Sequence, residues 1–230
     1  MGFADGHHCK SKRISPGAPM TDPSNLTVID HPVIATLSTR LRDRETSTAA
    51  FRAGVRALGH LLAYELLRDA RVVPVEVQTP LEKTQGTRLR TQPAFISVMR
   101  AGNGMVDGML DLWPDAVAGN IGMYRNEETL QPVEYYRSLP PRLNERRVIL
   151  ADPMLATGGT AIAAASMLRD AGASNLHFAC LLAAPEGVAA FAGAHPDIPV
   201  TTCVLDRELN EKGYILPGLG DAGDRQYGTV

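Results

Sequence analysis

The chain has 230 residues, 44% apolar and 21% charged, with a formal charge of −2. That length supports one sizeable core, and the balanced charge excludes an overall basic field of the kind that holds nucleic acid. No run approaches the ~20 apolar residues of a membrane helix, and the start, MGFADGHHCKSKRISPGAPM, lacks the apolar stretch of a signal peptide; a cytoplasmic protein with no membrane partner is expected.

Residues 1–25, rich in Gly, Lys, Ser and Pro, read as a loosely ordered or disordered tail, and 26–230 as a single domain. His7, His8 and Cys9 are adjacent, but in that setting a solvated segment fits them better than a metal site. Order is expected from Leu26. Thr48 suits the cap of a helix whose stripe runs Phe51, Val55, Leu58, Leu62 and Leu66. RVVPVEVQTP (71–80) reads as a strand or hairpin arm, and LEKTQGTRLR after it as a polar loop.

PAFISVM (93–99) is a buried-strand pattern ending at Arg100, and AGNGMVDGMLDLW a helix. Its glycines at 102, 104 and 108 are spaced one residue too long for a dinucleotide fingerprint, so helix packing is their expected use. AVAGNIGMY (116–124) is the next strand, followed by a proline-rich, charged excursion. Arg147 to Ala151 is then a strand, Asp152 to Gly159 a loop, and Thr160 to Ala171 a helix stopped by Gly172. LHFACLLAA (176–184) and IPVTTCVLD (198–206) are further strands, with a helix opened by Pro185 between them. Cys180 and Cys203 lie inside these apolar runs and read as small hydrophobes. Strands alternating with helices imply an α/β fold with a mostly parallel sheet covered on both faces. The glycine-rich end, RELNEKGYILPGLGDAGDRQYGTV, shows neither period and suggests a shaped loop near a ligand.

In such a sheet ligands bind beyond the carboxyl ends of strands. Thr157, Gly158, Gly159 and Thr160 therefore stand at a helix N-terminus, where unpaired N–H groups attract an anion and glycines admit a phosphate. No lysine follows the glycines, so this is not a Walker loop; a packing turn is the alternative for TGGT taken alone. Asp152 has the wrong sign to face phosphate but is a good acceptor for hydroxyls, and phosphate beside hydroxyls describes a phosphorylated sugar.

DPMLATGGT (152–160) resembles the phosphoribosyl diphosphate motif of type I phosphoribosyltransferases, and of the uracil phosphoribosyltransferases in particular. MRAGNGMVDG (99–108), GMYRNEETLQPVEYY (122–136), AAPEGV (183–188), AHPD (194–197) and GYILPGLGDAGDRQYGT (213–229) carry the same resemblance, over about residues 30 to 230. It implies a type I phosphoribosyltransferase fold with a C-terminal hood over the site and a protruding β-arm. It also implies transfer of phosphoribose from 5-phospho-α-D-ribose 1-diphosphate (PRPP) to uracil, giving UMP and diphosphate.

On the resemblance, Asp152 contacts ribose hydroxyls, and Pro153, Met154, Leu155, Ala156, Thr157, Gly158, Gly159 and Thr160 cradle the 5-phosphate. Proline at 153, where many relatives outside the uracil group carry a second acid, favours the uracil branch. Arg100 matches the arginine of the diphosphate loop and, with Asp221, is a candidate catalytic residue. Lys83 lies near the place of a further family arginine, with Arg88 and Arg90 just beyond, and which of the three serves is open. Main-chain groups of Ile215, Gly220 and Ala222 match the uracil site, with Asp221 beside them and Tyr214 as a cover. Fixed N–H and C=O groups complement the imide edge of uracil and mispair with cytosine. Asp221 either accepts the N1 proton or positions substrate electrostatically, while Asp224 reads as structural. Mg²⁺ takes few protein ligands where substrate phosphates are available, so it is expected to arrive with PRPP, with no directly ligating residue. A homodimer or higher homo-oligomer is implied, with Tyr124, Tyr135 and Tyr136 packing in it; activation by GTP, as in some relatives, is left open. The rival readings are a uridine-nucleotide-sensing RNA regulator on the same fold, disfavoured by balanced charge and 5% aromatics, a transferase for another base, and a sheet protein whose glycine loops serve packing alone.

Overall fold

The computed structural model describes residues 25–125 and 132–229; His7, His8, Cys9 and most of the expected tail lie outside them, as does the tip of the expected arm. In chain order the elements are β1 (Leu26–Val28), α1 (Pro32–Arg42), α2 (Thr48–Leu66), β2 (Val72–Gln78), β3 (Lys83–Leu89), β4 (Ala94–Met99), α3 (Gly102–Leu112), β5 (Val117–Arg125) and β6 (Pro132–Ser138). They continue with β7 (Arg147–Ala151), β8 (Met154–Leu155), α4 (Gly159–Asp170), β9 (Asn175–Ala183), α5 (Pro185–Ala194), β10 (Val200–Leu205), β11 (Glu208–Leu209), β12 (Ile215–Leu216) and α6 (Ala222–Tyr227).

The main sheet runs β1-β10-β9-β7-β4-β5-β6, with β8 also on β9. Every pairing is parallel except β5 with β6, which bulges between Gly122 and Met123. Period two along the central strands feeds two cores. Phe95 and Ile149 face a cluster built with α1, α2 and α3, whereas Ile96, Val148 and Leu150 face one built with α4 and α5. This is the mostly parallel α/β sheet expected from the strand and helix alternation. Gly108 of α3 sits where a Cβ would lie 1.9 Å from the Arg56 carbonyl of α2, so it serves close helix packing as expected, whereas Gly102 lies against the Ala151 carbonyl of β7 and Gly104 against the Gln226 side chain. Both Cys180 and Cys203 are buried, and burial pushes their thiols well above the usual range.

Three sequence readings are corrected. Residues 83–89 are not a loop but β3, paired with β2 in register from Val72↔Leu89 to Gln78↔Lys83 as a separate two-stranded sheet. Largely open to solvent, that hairpin needs no apolar alternation and leaves no period to read. The cap of α2 is Ser47, whose side chain accepts from Ala50 N at 3.3 Å, with Thr48 the first helical residue. Finally, α4 opens at Gly159 rather than Thr160, because Gly158 takes the cap position at φ 86°.

Candidate active site

Strands β4 and β7 lie side by side in parallel, so the turns leaving their carboxyl ends face each other across a cleft of about 340 Å³. The β7 turn begins at Asp152, a half-buried acid whose backbone N–H donates to Ala179 O at 3.1 Å and whose Oδ1 accepts from Met154 N at 3.3 Å. Burial pushes its carboxyl up to about 7, with the Met154 N–H pulling weakly the other way. Pro153, buried behind the cleft, accepts through its carbonyl from Leu181 N and Leu182 N, and Leu155 O accepts from Ala184 N. The tiny strand β8 is thereby stitched to β9, so the loop that follows leaves from a fixed base.

Thr157 to Thr160 then turn into α4. Gly158 sits in the left-handed region, and a Cβ on it would approach Gly187 O to 3.1 Å, so the residue is fixed by conformation and by space. No side chain caps α4, so its first-turn N–H groups, beside the cleft, form an arrangement that suits an anion.

Across from this loop, the Met99–Arg100 peptide is cis, and Arg100 reaches into the cleft lining. Its guanidinium lies 3.4 Å from Asp224 Oδ1, 3.5 Å from Thr229 Oγ1 and 5.4 Å from the Tyr227 ring centroid, while the Tyr227 hydroxyl donates to Arg100 O at 3.2 Å. Beneath the turn, Ser97 Oγ donates to Asn103 Oδ1 and Asn120 Nδ2 donates to Ser97 Oγ, each at 2.7 Å. These polar groups tie the start of α3 to two strands. None of the three, nor Tyr227 or Thr229, stood out in the sequence. Asn103 and Asn120 sit in a helix and a strand that would read equally well with apolar side chains, and the other partners lie over a hundred positions from Arg100.

A second cavity, of about 270 Å³, opens under the C-terminal segment, lined by Lys212, Gly213, Tyr214, Ile215 and Gly220. Met154, Ala156, Asp221 and Ala222 line both cavities. Asp221 is the N-cap of α6, accepting from Asp224 N at 2.8 Å, so a local structural role coexists with a place lining both cavities. The fold thus gathers Arg100, Asp152, the 154–158 stretch, Thr160 and Asp221 at one cleft, with Tyr214, Ile215 and Gly220 next to it, and Gly159 opening α4 behind.

Lys83 is not brought there. It lies on β3 with its Nζ 3.0 Å from Glu76 Oε1, on a hairpin that lines neither cavity. Arg90 lines a different cleft, with Arg71, Arg146 and Arg147, where the parallel strands begin rather than end.

A family model described as uracil phosphoribosyltransferase matches residues 28–229. Proteins named uracil phosphoribosyltransferase from Sinorhizobium fredii and Paracoccus denitrificans are 53% and 51% identical over 89% and 90% of this chain, each match covering 98% of the relative. The solved structure of the AQ2163 protein from Aquifex aeolicus superposes with a TM-score of 0.84 at 35% identity, covering 88% of this chain and 97% of that one.

Proposed function

Since this chain belongs to the uracil phosphoribosyltransferase family, it is a pentosyltransferase that joins uracil to PRPP, releasing UMP and diphosphate, and we propose that the larger cavity takes PRPP and the smaller one uracil. The observation that supports this assignment is their common lining of Met154, Ala156, Asp221 and Ala222, the adjacency that transfer of a sugar phosphate to a base requires.

The bond between ribose C1 and the diphosphate oxygen breaks as the bond from uracil N1 to C1 forms, and the N1 proton leaves. Positive charge grows on the ring and negative charge on the leaving group, so the residues act by position and charge. The N–H groups of the Thr157 to Thr160 turn hold the 5-phosphate, and Asp152 accepts the ribose hydroxyls. Arg100 exchanges its long contacts with Asp224 and Thr229 for the diphosphate oxygens, which suit its forked donors. Asp221, on the common wall, is placed to receive the N1 proton or to orient uracil. Main-chain groups of Ile215, Gly220 and Ala222 read the base, with Tyr214 over it. Mg²⁺ carried on PRPP would neutralise leaving-group charge; Asp152 and Asp221 fit contacts through its water shell, the mode this ion favours beside phosphates. Lys83 belongs to this constellation only if the hairpin serves another subunit. The exposed Leu81, Tyr124, Tyr135 and Tyr136 and the poor stability of a lone hairpin support a homo-oligomer. The enzyme works on small molecules in the cytoplasm; none of the described helices is long and apolar enough to cross a membrane.

Purified protein given PRPP, Mg²⁺ and one base at a time is expected to release diphosphate with uracil and not with cytosine, orotate, hypoxanthine or adenine. Release with hypoxanthine and none with uracil overturns the base assignment.

A further inference from the structure

The turn that carries the base-reading groups is held by a charge pair, its carboxylate buried and its guanidinium partly exposed, that lines neither cavity. Asp206, which follows β10, is 7% exposed. Arg42, the last residue of α1, donates to Asp206 Oδ2 at 2.9 Å, to its Oδ1, and to Gly218 O at 2.8 Å. Asp206 Oδ2 in turn accepts from Gly218 N at 3.0 Å. Both main-chain groups of one residue are therefore gripped, and that residue, at φ 65°, has no room for a side chain, since a Cβ would lie 2.2 Å from Ile215 O. Arg225 anchors the next residue through its carbonyl, donating to Leu219 O at 2.7 Å while it also holds Leu41 O in the last turn of α1 and Asp43 O just past it.

An ion pair with one partner buried is seldom the most stable way to fill such a space, because desolvation offsets much of the attraction. Its particular contribution is direction: a fork and a carboxylate fix a main-chain turn at defined angles where apolar packing would let it slide. Ile215 stands three residues before Gly218 and Gly220 two after it, so a displaced Gly218 moves both ends of the base-reading edge.

We infer that Arg42 and Asp206 are positioning residues for uracil, acting through Gly218 and leaving the PRPP side unaffected. This rests on the reading that residues 215–222 hold the base. The test measures KM for uracil and for PRPP, together with hydrogen–deuterium exchange with and without each substrate, in the wild type, Asp206→Asn and Arg42→Gln. In the wild type, uracil should protect amides of residues 213–222, and absence of that protection sinks the reading of the base site itself. With it present, either variant should raise the uracil KM by about tenfold or more, within the range seen when a misplaced group loses its alignment, and weaken the 213–222 protection. The PRPP KM should stay within about twofold, and protection of 152–160 by PRPP should persist, which also shows the variant folded. An unchanged uracil KM, or equal rises in both KM values, overturns the inference. Should Asp206→Asn fail to fold, Arg42→Gln, which keeps the carboxylate and one amide donor, decides alone.

Discussion

Replacing Asp152 with asparagine separates the stability of the empty cleft from its work. The carboxyl, ordinarily at 3.8, stands at about 7 in the fold because it is desolvated. Between those values the folded chain holds a proton that the unfolded chain has lost, so stability falls as pH rises from about 4 to 7, and the full cost is present only above 7. At about 1.4 kcal/mol per pH unit the displacement is worth up to about 4 kcal/mol, less whatever solvent reaching the half-buried group returns. Asparagine keeps an oxygen for the Met154 N–H and has no charge to bury. With a urea slope of about 2 kcal/mol per M for a chain of this size, Asp152→Asn should unfold at up to about 2 M more urea than the wild type at pH 8, and at nearly the same urea at pH 4. The variant should also lose the acceptor that grips ribose hydroxyls, with turnover falling about 100-fold. In the wild type, hydroxyls donating to the carboxylate lower its pKa, so PRPP binding near pH 6 should expel a proton, measurable by calorimetry in buffers of different ionisation enthalpy. A gap between variant and wild-type midpoints that is the same at both pH values, with no proton released, would refute the reasoning.

Arg100→Ala should cut kcat by at least ~100-fold, the scale of one charge-stabilising donor, with the thermal unfolding midpoint within a few degrees of wild type; near-normal turnover removes Arg100 from the site. Gly158→Ala forces a side chain into the left-handed region against Gly187 O, at a cost of about 1–2 kcal/mol, and steady-state kinetics should show the PRPP KM rising with the uracil KM little changed. His177 bonds to Thr201 Oγ1 at 2.8 Å and is held near 4 by burial first and the Arg147 charge second. The unfolded chain takes up that proton near 6.5, so this contribution is intact above 6.5 and is lost as pH falls toward 4. His177→Gln should therefore flatten acid unfolding in that window by up to about 3 kcal/mol, followed by urea titration at pH 4.5 and 7.

Much of the fold was legible because its strands carry apolar runs and its helices a 3.6-residue stripe. Thr157 to Thr160 were legible as a helix N-terminus at the edge of a cleft because strand, glycine turn and helix are contiguous. What stayed hidden was either solvated or distant. The hairpin strand β3 alternates nothing, and β8 is two residues long, its identity conferred by β9. Arg42 and Asp206 are 164 positions apart, and Arg100 and Asp224 are 124 apart; such pairs form only when the sheet brings their ends together, and no local period encodes them. Where Lys83 would lie was equally hidden, since adjacency along the chain to a family word says nothing of where a hairpin points.

Met154, Ala156, Asp221 and Ala222 each border both chambers, which therefore adjoin. On the proposed assignment, a single molecule bearing a pyrimidine at one end and a phosphate at the other would seat both ends at once. Its second end would engage without a further loss of translational freedom, so the two weakly enclosed chambers would behave toward it as one deep site.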